Sequence, residues 1–316
     1  MEPRNGPQEP LITVVTPYYD NPTLFEAVDS VLDQSYPAIQ YLIVNDASPS
    51  IPSEPVRQYL SQRKGPNIRE FRVIENPVNS GVVRSVNEAY RQAEGEYIFN
   101  LAADDAFADG DVLRDWVRAF QTTGAMVMTA YRYVYDETLK IKRKTLPLPE
   151  QAAKIRKLDC SLLFHDLARE NYIFGCCTAR SRECIEKYGL LSEDYRLIDD
   201  YPMNLYWLRN GVPIHFFDRV VVKYRSGGVS APVSFNGAYE KDADLVFHRE
   251  IRNYSPHPVI ASMEYIYWKT RQQRAGAYFR ELKTAATPWK RLWLLVKYPE
   301  NILRFFKRKL TGLKKH

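Results

Sequence analysis

The chain has 316 residues, 45% of them hydrophobic and 26% charged, with a formal net charge of +6, so it can bury a full core in one large domain with an appendage. No stretch of 18 apolar residues is present, which excludes a transmembrane helix of the usual length. The four cysteines show no Cys-x-x-Cys pattern, so we expect buried free thiols in a reducing compartment.

The first half of the chain predicts alternating strands and helices. Residues 1–10 are polar, without the apolar core of a signal peptide, and predict a disordered leader. Four β-rich runs that end in polar or turn-forming residues follow, at Leu11–Asp20, Tyr41–Ser48, Phe71–Gly81 and Glu96–Asp105. Helices are predicted over Thr23–Gln34 and, behind a possible Asn79-Ser80-Gly81 cap, over Val82–Ala93. This alternation favours a parallel α/β sheet that binds ligands at the carboxyl ends of its strands.

The fourth run leads into two adjacent carboxylates, Asp104 and Asp105. Such a pair at the end of a strand can hold a hard divalent cation against substrate phosphates. Taken alone, a solvated turn is the common alternative.

Taken in order, these motifs resemble those of the family 2 glycosyltransferases, inverting enzymes with the GT-A fold. The family's opening strand and first helix are resembled by TVVTPYYDNPTLFEAVDSVLDQSYP, and its Asp-Asp-x-Ser segment by YLIVNDAS, in which Asn45 replaces the first Asp. The family's glycine-arginine helix is resembled by NSGVVRSVNEA, and its metal-binding turn by LAADDAF. The resemblance covers about Leu11–Ser230. It implies an α/β fold, a GT-A-like nucleotide-binding sheet with flanking helices, followed by a helical C-terminal region.

The resemblance implies a donor site. Thr16, Pro17 and Tyr18 would form the floor of a nucleotide pocket, with Tyr18 against the base. Asp46 would accept a hydrogen bond from the base, and Arg84 would contact the diphosphate bidentately. The structural alternatives are packing for Tyr18, a cap or turn for Asp46, and a surface ion pair for Arg84.

The metal turn departs from the family pattern. The family usually has Asp-x-Asp-Asp here, and this chain has Ala102 in place of the first Asp. The resemblance implies that Asp104 binds a divalent metal, Mg or Mn, and that Asp105 supports it at the donor site. With fewer carboxylates, the ion would depend more on diphosphate oxygens and water.

The second half of the chain supplies the acceptor site. Leu197 to Tyr201 followed by NLYWLRNG resembles the family's Glu-Asp motif, which makes Asp200 the catalytic base; a simple helix cap is the alternative. VPIHFF and VVVKYRSGGVSA predict two strands and a glycine loop without the family's His. We therefore expect the loop to cover the diphosphate, with Arg225 either as its anion contact or as a structural residue.

The domain boundaries follow from these motifs and from the charge pattern. We predict a catalytic domain over 11–235, with a nucleotide half at about 11–135 and an acceptor half at about 150–235, and a helical extension over 236–288. Trp289–His316 contains nine Lys or Arg and one acid among aromatic and aliphatic residues, and predicts an amphipathic tail that binds a membrane surface. Docking onto the protein's own core or a subunit is the alternative, and nucleic acid is not an expected partner.

Together these features predict a glycosyltransferase that moves a hexosyl or related sugar from a nucleotide-diphosphate donor to an acceptor hydroxyl, with inversion. The expected acceptor is a lipid-linked saccharide of bacterial surface polysaccharide assembly, and the expected location is the cytoplasm, peripheral on the inner face of the cell membrane. The alternative, supported by Ala102, is a catalytically degenerate nucleotide-sugar-binding protein at the membrane surface. A nucleotidyltransferase is disfavoured because TPYYDNP is not a glycine-rich basic loop.

Overall fold

The computed structural model describes residues 9–227, 237–284 and 287–298. The strands are β1 (Ile12–Tyr18), β2 (Ile39–Asn45), β3 (Ile68–Glu75), β4 (Tyr97–Asn100), β5 (Ala106–Phe107), β6 (Val127–Tyr135), β7 (Lys142–Leu146), β8 (Thr178–Ser181) and β9 (Ile214–Arg225). The α-helices are α1 (Leu24–Leu32), α2 (Ser53–Arg63), α3 (Val82–Gln92), α4 (Val112–Thr123), α5 (Pro149–Ile155), α6 (Cys160–Leu167), α7 (Arg182–Tyr188), α8 (Tyr201–Arg209), α9 (Gly237–Leu245), α10 (Pro258–Thr284) and α11 (Pro288–Lys297). Most of the predicted leader, the end of the glycine loop and the tail beyond residue 298 lie outside the described residues.

The described strands form one mixed sheet in the order β3-β2-β1-β4-β8-β6-β9-β5, with β7 paired to β6. The first four of these are mutually parallel, as the alternation of strands and helices predicted. The strand β8 is antiparallel to both β4 and β6 and joins the two halves of the sheet. The polar residues that follow β1, β2 and β4 are therefore brought to one edge.

Both faces of the sheet are covered by apolar residues. Because side chains alternate along a strand, Val14 packs into the cluster on one face with α1 and α4, while Val15 packs into the cluster on the other with α3. Both valines are fully buried. A strand buried on both faces reads as a continuous apolar run, which explains the sequence of β1 and β2.

The predicted helices α1 and α3 are confirmed within two residues at their ends. The N-terminus of α3 differs from the expected cap, because Gly81 occupies the N-cap position with φ of 89° and has no side chain with which to cap the helix. Its amide is bonded instead by Asp46, from the loop after β2. A carboxylate supplied by a distant segment thus replaces the local Asn79 or Ser80 cap.

Two predictions for the second half of the chain were wrong. The two strands expected after Val212 are one strand, β9, which pairs parallel with β6 through a register irregularity between Phe217 and Val220. Residues 139–151 are basic and proline-bearing, which predicts a linker or an acceptor-side loop, but this stretch contains the strand β7 and the beginning of α5. Of the helices in the described ranges, none is long and apolar enough to cross a membrane.

Candidate active site

A cavity of about 1420 Å³ opens at the carboxyl ends of β1, β2 and β4. Tyr18, Asp46 and the turn after Asn100 line its nucleotide side. The segment around Gly175 and the start of α8 line its other side. The helix α10 adds a further wall, so the helical extension contributes to the cavity, which the sequence analysis did not anticipate.

The predicted nucleotide floor is divided between the cavity and the core. Pro17 and Tyr18 line the cavity. The Tyr18 ring is 3% exposed, and its hydroxyl donates to the carbonyl oxygen of Ile51 at 3.2 Å. Thr16 is fully buried and accepts a hydrogen bond from the Tyr41 hydroxyl at 3.1 Å, away from the lining. Tyr18 therefore touches the cavity from a nearly buried position, while Thr16 belongs to the core, and a contact of Tyr18 with a base stays a prediction.

Asp46 lines the cavity and also ties two loops together. Its Oδ1 accepts from the Ser80 amide at 2.8 Å and from Asn76 Nδ2 at 2.9 Å, and its Oδ2 accepts from the Gly81 amide at 2.8 Å. This is the cap role that the sequence left open as an alternative. A contact between Asp46 and the nucleotide base stays a prediction, and it would have to use the remaining lone pairs of a carboxylate that already has three donors.

The two carboxylates of the turn after β4 both face the cavity. Burial raises the pKa of Asp104. The pKa of Asp105 is raised well above its usual range by burial and then by nearby Cys176 and Asp104. Asp105 is 1% exposed, and its buried Oδ2 has no hydrogen-bond partner among the residues that the structure describes. A positive charge at this turn would satisfy the orphaned oxygen and lower both pKa values.

Arg225 donates hydrogen bonds to both aspartates of this turn from outside the cavity lining. It is 8% exposed and does not line the cavity. Its backbone amide donates to Asp105 Oδ1 at 2.9 Å, and its Nε, Nη1 and Nη2 donate to the Asp104 carbonyl, the Glu137 carbonyl and the Glu26 carboxylate at 2.8, 2.8 and 2.7 Å. These contacts are those of a structural arginine, and contact of Arg225 with a donor anion stays a prediction.

Arg84 is not brought to the cavity either. It lies in the first turn of α3, but its side chain is 60% exposed and its Nε lies 3.5 Å from the Glu193 carboxylate. Neighbouring Val82 and Ser85 line the cavity while Arg84 does not. Arg84 thus makes a surface ion pair, and its contact with a diphosphate stays a prediction.

Asp199 and Asp200 form a pair at the start of α8, and both line the cavity. Asp200 Oδ2 accepts from the Gly175 amide at 2.7 Å, and Oδ1 accepts from the Tyr201 amide at 2.6 Å. Burial raises the pKa of Asp200, and burial followed by repulsion from Asp200 raises the pKa of Asp199 to about 7. A carboxylate with a raised pKa in a fixed orientation can take a proton near neutral pH.

The sequence analysis missed Arg132, which lies on β6 and lines the cavity. Its charge acts on both Asp105 and Asp200, lowering their pKa values against the effect of burial. The signal that could have revealed it is a lone cation within the otherwise uncharged strand VMTAYRYVY. Gly175 was missed too: a Cβ there would lie 3.0 Å from Asp200 Cβ, so only a glycine fits without a shift.

The turn has the chemistry of a site for a hard cation. In the ranges 9–227, 237–284 and 287–298, no group of three or more His, Cys, Asp or Glu could hold a metal ion. Asp104 and Asp105 nevertheless offer carboxylate oxygens, one of them buried and orphaned, and such a pair suits Mg²⁺ or Mn²⁺ when substrate phosphates and water complete the coordination. The residues present therefore fit a divalent ion shared with a ligand.

Comparison with known proteins gives this site a context. The sequence model described as "Glycosyl transferase family 2" matches residues 13–189. TuaG of Bacillus subtilis, a glycosyltransferase whose name refers to teichuronic acid biosynthesis, is 26% identical over 219 residues, 69% of this chain and 79% of TuaG. The chain spans 34% of the length of the first curated relatives that it matches.

Two solved structures have a similar fold. The first is TarS 1-349 of S. aureus in complex with UDP-GlcNAc, with a TM-score of 0.59, 14% identity, and coverage of 90% of this chain and 79% of that one. The second is the mannosyltransferase PcManGT of Pyrobaculum calidifontis in complex with GDP-Man and Mn²⁺, with a TM-score of 0.56, 18% identity, and coverage of 96% and 83%. At these identities the likeness concerns the fold.

Proposed function

Because the chain belongs to glycosyl transferase family 2, we propose that it transfers a sugar from a nucleotide-diphosphate donor to an acceptor hydroxyl, with inversion at the anomeric carbon. The GT-A type of α/β fold predicted from the sequence is confirmed by the structures it resembles. The observation that carries the proposal is the cavity, where Tyr18, the Asp104-Asp105 turn and Asp200 face one another across a single space.

The donor occupies the side of the cavity near β1 and β2. Tyr18 lies against the nucleotide base, since an aromatic ring beside a cavity favours stacking. The diphosphate lies by Asp104 and Asp105, where a bound Mg²⁺ or Mn²⁺ would neutralise charge on the departing diphosphate. That PcManGT is described with GDP-Man and Mn²⁺ supports this arrangement.

The acceptor occupies the side near α8. Asp200 removes the proton of the acceptor hydroxyl, the oxygen forms a bond to the anomeric carbon, and the bond from that carbon to the diphosphate breaks. The amides of Gly175 and Tyr201 hold the carboxylate in a fixed orientation for this proton transfer. A single displacement of this kind inverts the anomeric centre.

The same proposal includes the place of the reaction. We infer a lipid-linked saccharide acceptor in surface polysaccharide assembly, in line with the name of TuaG, and a position on the inner face of the cell membrane. Five large apolar residues lie exposed along one face of α10, namely Val259, Ile260, Met263, Ile266 and Tyr267. Because Tyr267 also lines the cavity, a membrane bound along this face would reach the cavity mouth.

A catalytically degenerate nucleotide-sugar-binding protein is the second candidate. Ala102 favours it, because a carboxylate usual in the family is missing from the turn. The buried orphaned oxygen of Asp105 and the raised pKa of Asp200 favour an active enzyme, since both are costly features without a ligand or a reaction. Transfer or hydrolysis of a nucleotide sugar would distinguish the two.

We predict that the chain binds a nucleoside diphosphate in a metal-dependent way. Calorimetric titration of UDP, GDP and dTDP, with Mn²⁺ or Mg²⁺ and then with a chelator, should give an affinity about tenfold or more weaker without the metal. Asp104→Asn should weaken binding to a similar extent, and Glu186→Gln, on an exposed part of α7, should not. Equal affinity with the chelator would remove the metal role, and no binding of any nucleotide would remove the donor site.

We also predict binding to anionic membranes through the C-terminal region. Trp289, Leu292, Trp293 and Val296 of α11 are exposed, and each Lys or Arg near an anionic surface adds about 1 kcal/mol. The protein should sediment with liposomes in proportion to their anionic lipid, and the variant with Trp289→Gln and Trp293→Gln should sediment less.

Two controls complete the membrane experiment. Ile141→Gln, an exposed apolar residue just before β7, should leave sedimentation unchanged. A chain that ends at Thr287 also removes the buried Leu294, so its folding is checked by thermal melting. Binding that ignores lipid charge and salt, or that survives both truncation and the tryptophan changes, would contradict membrane attachment.

A further inference from the structure

Arg132 is a buried cation with no carboxylate partner within the ranges that the structure describes. Its side chain is 9% exposed and lies between two rings, with the guanidinium carbon 3.6 Å from the Phe174 centroid and 4.0 Å from the Tyr224 centroid. Among the described residues, its one hydrogen bond runs from Nη1 to Cys176 Sγ at 3.4 Å, and sulfur is a weak acceptor. Its Nε is buried and has no partner.

Stacking between rings stabilises a cation, but it leaves the guanidinium N–H groups unused. A buried donor that lacks an acceptor is costly, so the arrangement is unfavourable unless something supplies oxygens. The guanidinium fork matches a carboxylate or phosphate bidentately. Because Arg132 lines the cavity, a ligand there can supply those oxygens.

The strand pair around Arg132 also presents positive charge to the cavity. The strand β7 pairs antiparallel with β6, with Val134 opposite Lys144 and Arg132 opposite Leu146, and all four residues line the cavity. In an antiparallel pair, opposite residues share a face. This face therefore presents two cations, and no ion pair joins either of them to a carboxylate in the described part of the chain.

We propose that Arg132, assisted by Lys144, binds an anionic group of the substrate. This rests on the proposed function and specifies its substrate class. The oxyanion can come from the diphosphate of the donor or from a carboxylate or phosphate on a saccharide. Arg132 lines the same cavity as the Asp104-Asp105 turn and Asp200, so an anion bound to it would lie in the space proposed for the reacting sugar.

The test compares Arg132→Met, which keeps an unbranched side chain between the rings, with Lys142→Met as the matched control. Lys142 is an exposed cation on the same strand pair, 3.4 Å from the Tyr133 centroid and outside the cavity lining. Calorimetry uses whichever of UDP, GDP and dTDP binds the wild type, the matching monophosphate, and a nucleotide-sugar pair that differs by one carboxylate, such as UDP-glucose and UDP-glucuronate.

Each source of the anion gives its own result. If Arg132 binds the diphosphate, Arg132→Met weakens the nucleoside diphosphate by about tenfold to a hundredfold and leaves the monophosphate within about twofold. If it binds a saccharide anion, the diphosphate affinity is kept and the wild-type preference for the carboxylate-bearing sugar is lost. Lys142→Met changes neither quantity.

A second measurement does not depend on a variant or on nucleotide binding. The Arg132 Nε–H gives an NMR resonance in the wild-type protein that should shift on addition of inorganic pyrophosphate, or of glucuronate but not glucose. A shift together with no nucleotide binding would contradict the proposed function while supporting the anion site. An unshifted resonance with both anions, or a folded Arg132→Met variant that keeps all wild-type affinities, would overturn the proposal.

Discussion

Replacing Asp200 by Asn is expected to reduce sugar transfer by roughly a hundredfold or more, because loss of a general base has an effect of about that size. Asn is nearly isosteric with Asp, so its side-chain oxygen can still accept from the Gly175 or Tyr201 amide. The substitution therefore removes the proton acceptor without emptying the site. Donor affinity, measured by calorimetry, should stay within a few-fold of the wild type.

Asp199→Asn is the matched variant, and the pH profile separates the two carboxylates. Repulsion from the ionised Asp200 is part of what raises the pKa of Asp199 to about 7, so Asp200 loses its proton first and wild-type transfer should already rise with pH below 7. Asp199→Asn should keep this rise, because Asp200 remains as the base. If instead Asp199→Asn abolishes transfer and Asp200→Asn does not, Asp199 is the base.

Replacing Arg225 by Met is expected to destabilise the protein by roughly 2–4 kcal/mol, because a buried guanidinium loses its bonds to two carbonyls and a carboxylate. The carbonyl of Asp104 is then left without its 2.8 Å donor, which loosens the turn. Metal-dependent nucleotide binding should weaken in this variant, and the thermal melting temperature should fall. Denaturant unfolding and calorimetry on the same samples measure both effects.

Arg84→Met is the control for this second prediction. Its side chain is 60% exposed, and its ion pair with Glu193 lies at the surface, so stability should change by no more than about 0.5 kcal/mol. Donor affinity should also be kept, since Arg84 does not line the cavity. A large loss of diphosphate binding in Arg84→Met with little change in Arg225→Met would reverse the two roles and restore the contact first expected from the sequence.

The sequence by itself determined the first four strands, the helices α1 and α3, and the order of these elements. Apolar runs bounded by turn residues predict β1 and β2, and a 3.6-residue apolar period predicts α1, because burial on a strand or helix face follows from local spacing. The Asp104-Asp105 turn was located as the polar end of an apolar run, while the Asp200 helix start was identified from its resemblance to the family's Glu-Asp motif. Each lies directly at the end of an element, where neighbours along the chain decide its position.

Only the tertiary structure decided which partners the long arginine side chains contact. Arg225 contacts Asp104, 121 residues away in sequence, and Glu26, 199 residues away. Arg84, one turn into its helix as predicted, turns to Glu193 because the loop before α8 supplies a carboxylate there. An arginine can reach several partners from one backbone position, so which partner it binds depends on distant segments that no local pattern specifies.

The same reason explains two further parts of the cavity lining. In the sequence, Arg132 is a lone cation in the run VMTAYRYVY. Its place as a cation of the cavity depends on Phe174 and Tyr224, which belong to two other segments and pack against its guanidinium. The wall that α10 adds to the cavity also depends on packing between remote parts of the chain, such as the stacking of Tyr265 on Phe247. Local spacing determines which face of an element is buried, while contacts between distant segments determine which residues meet in a site.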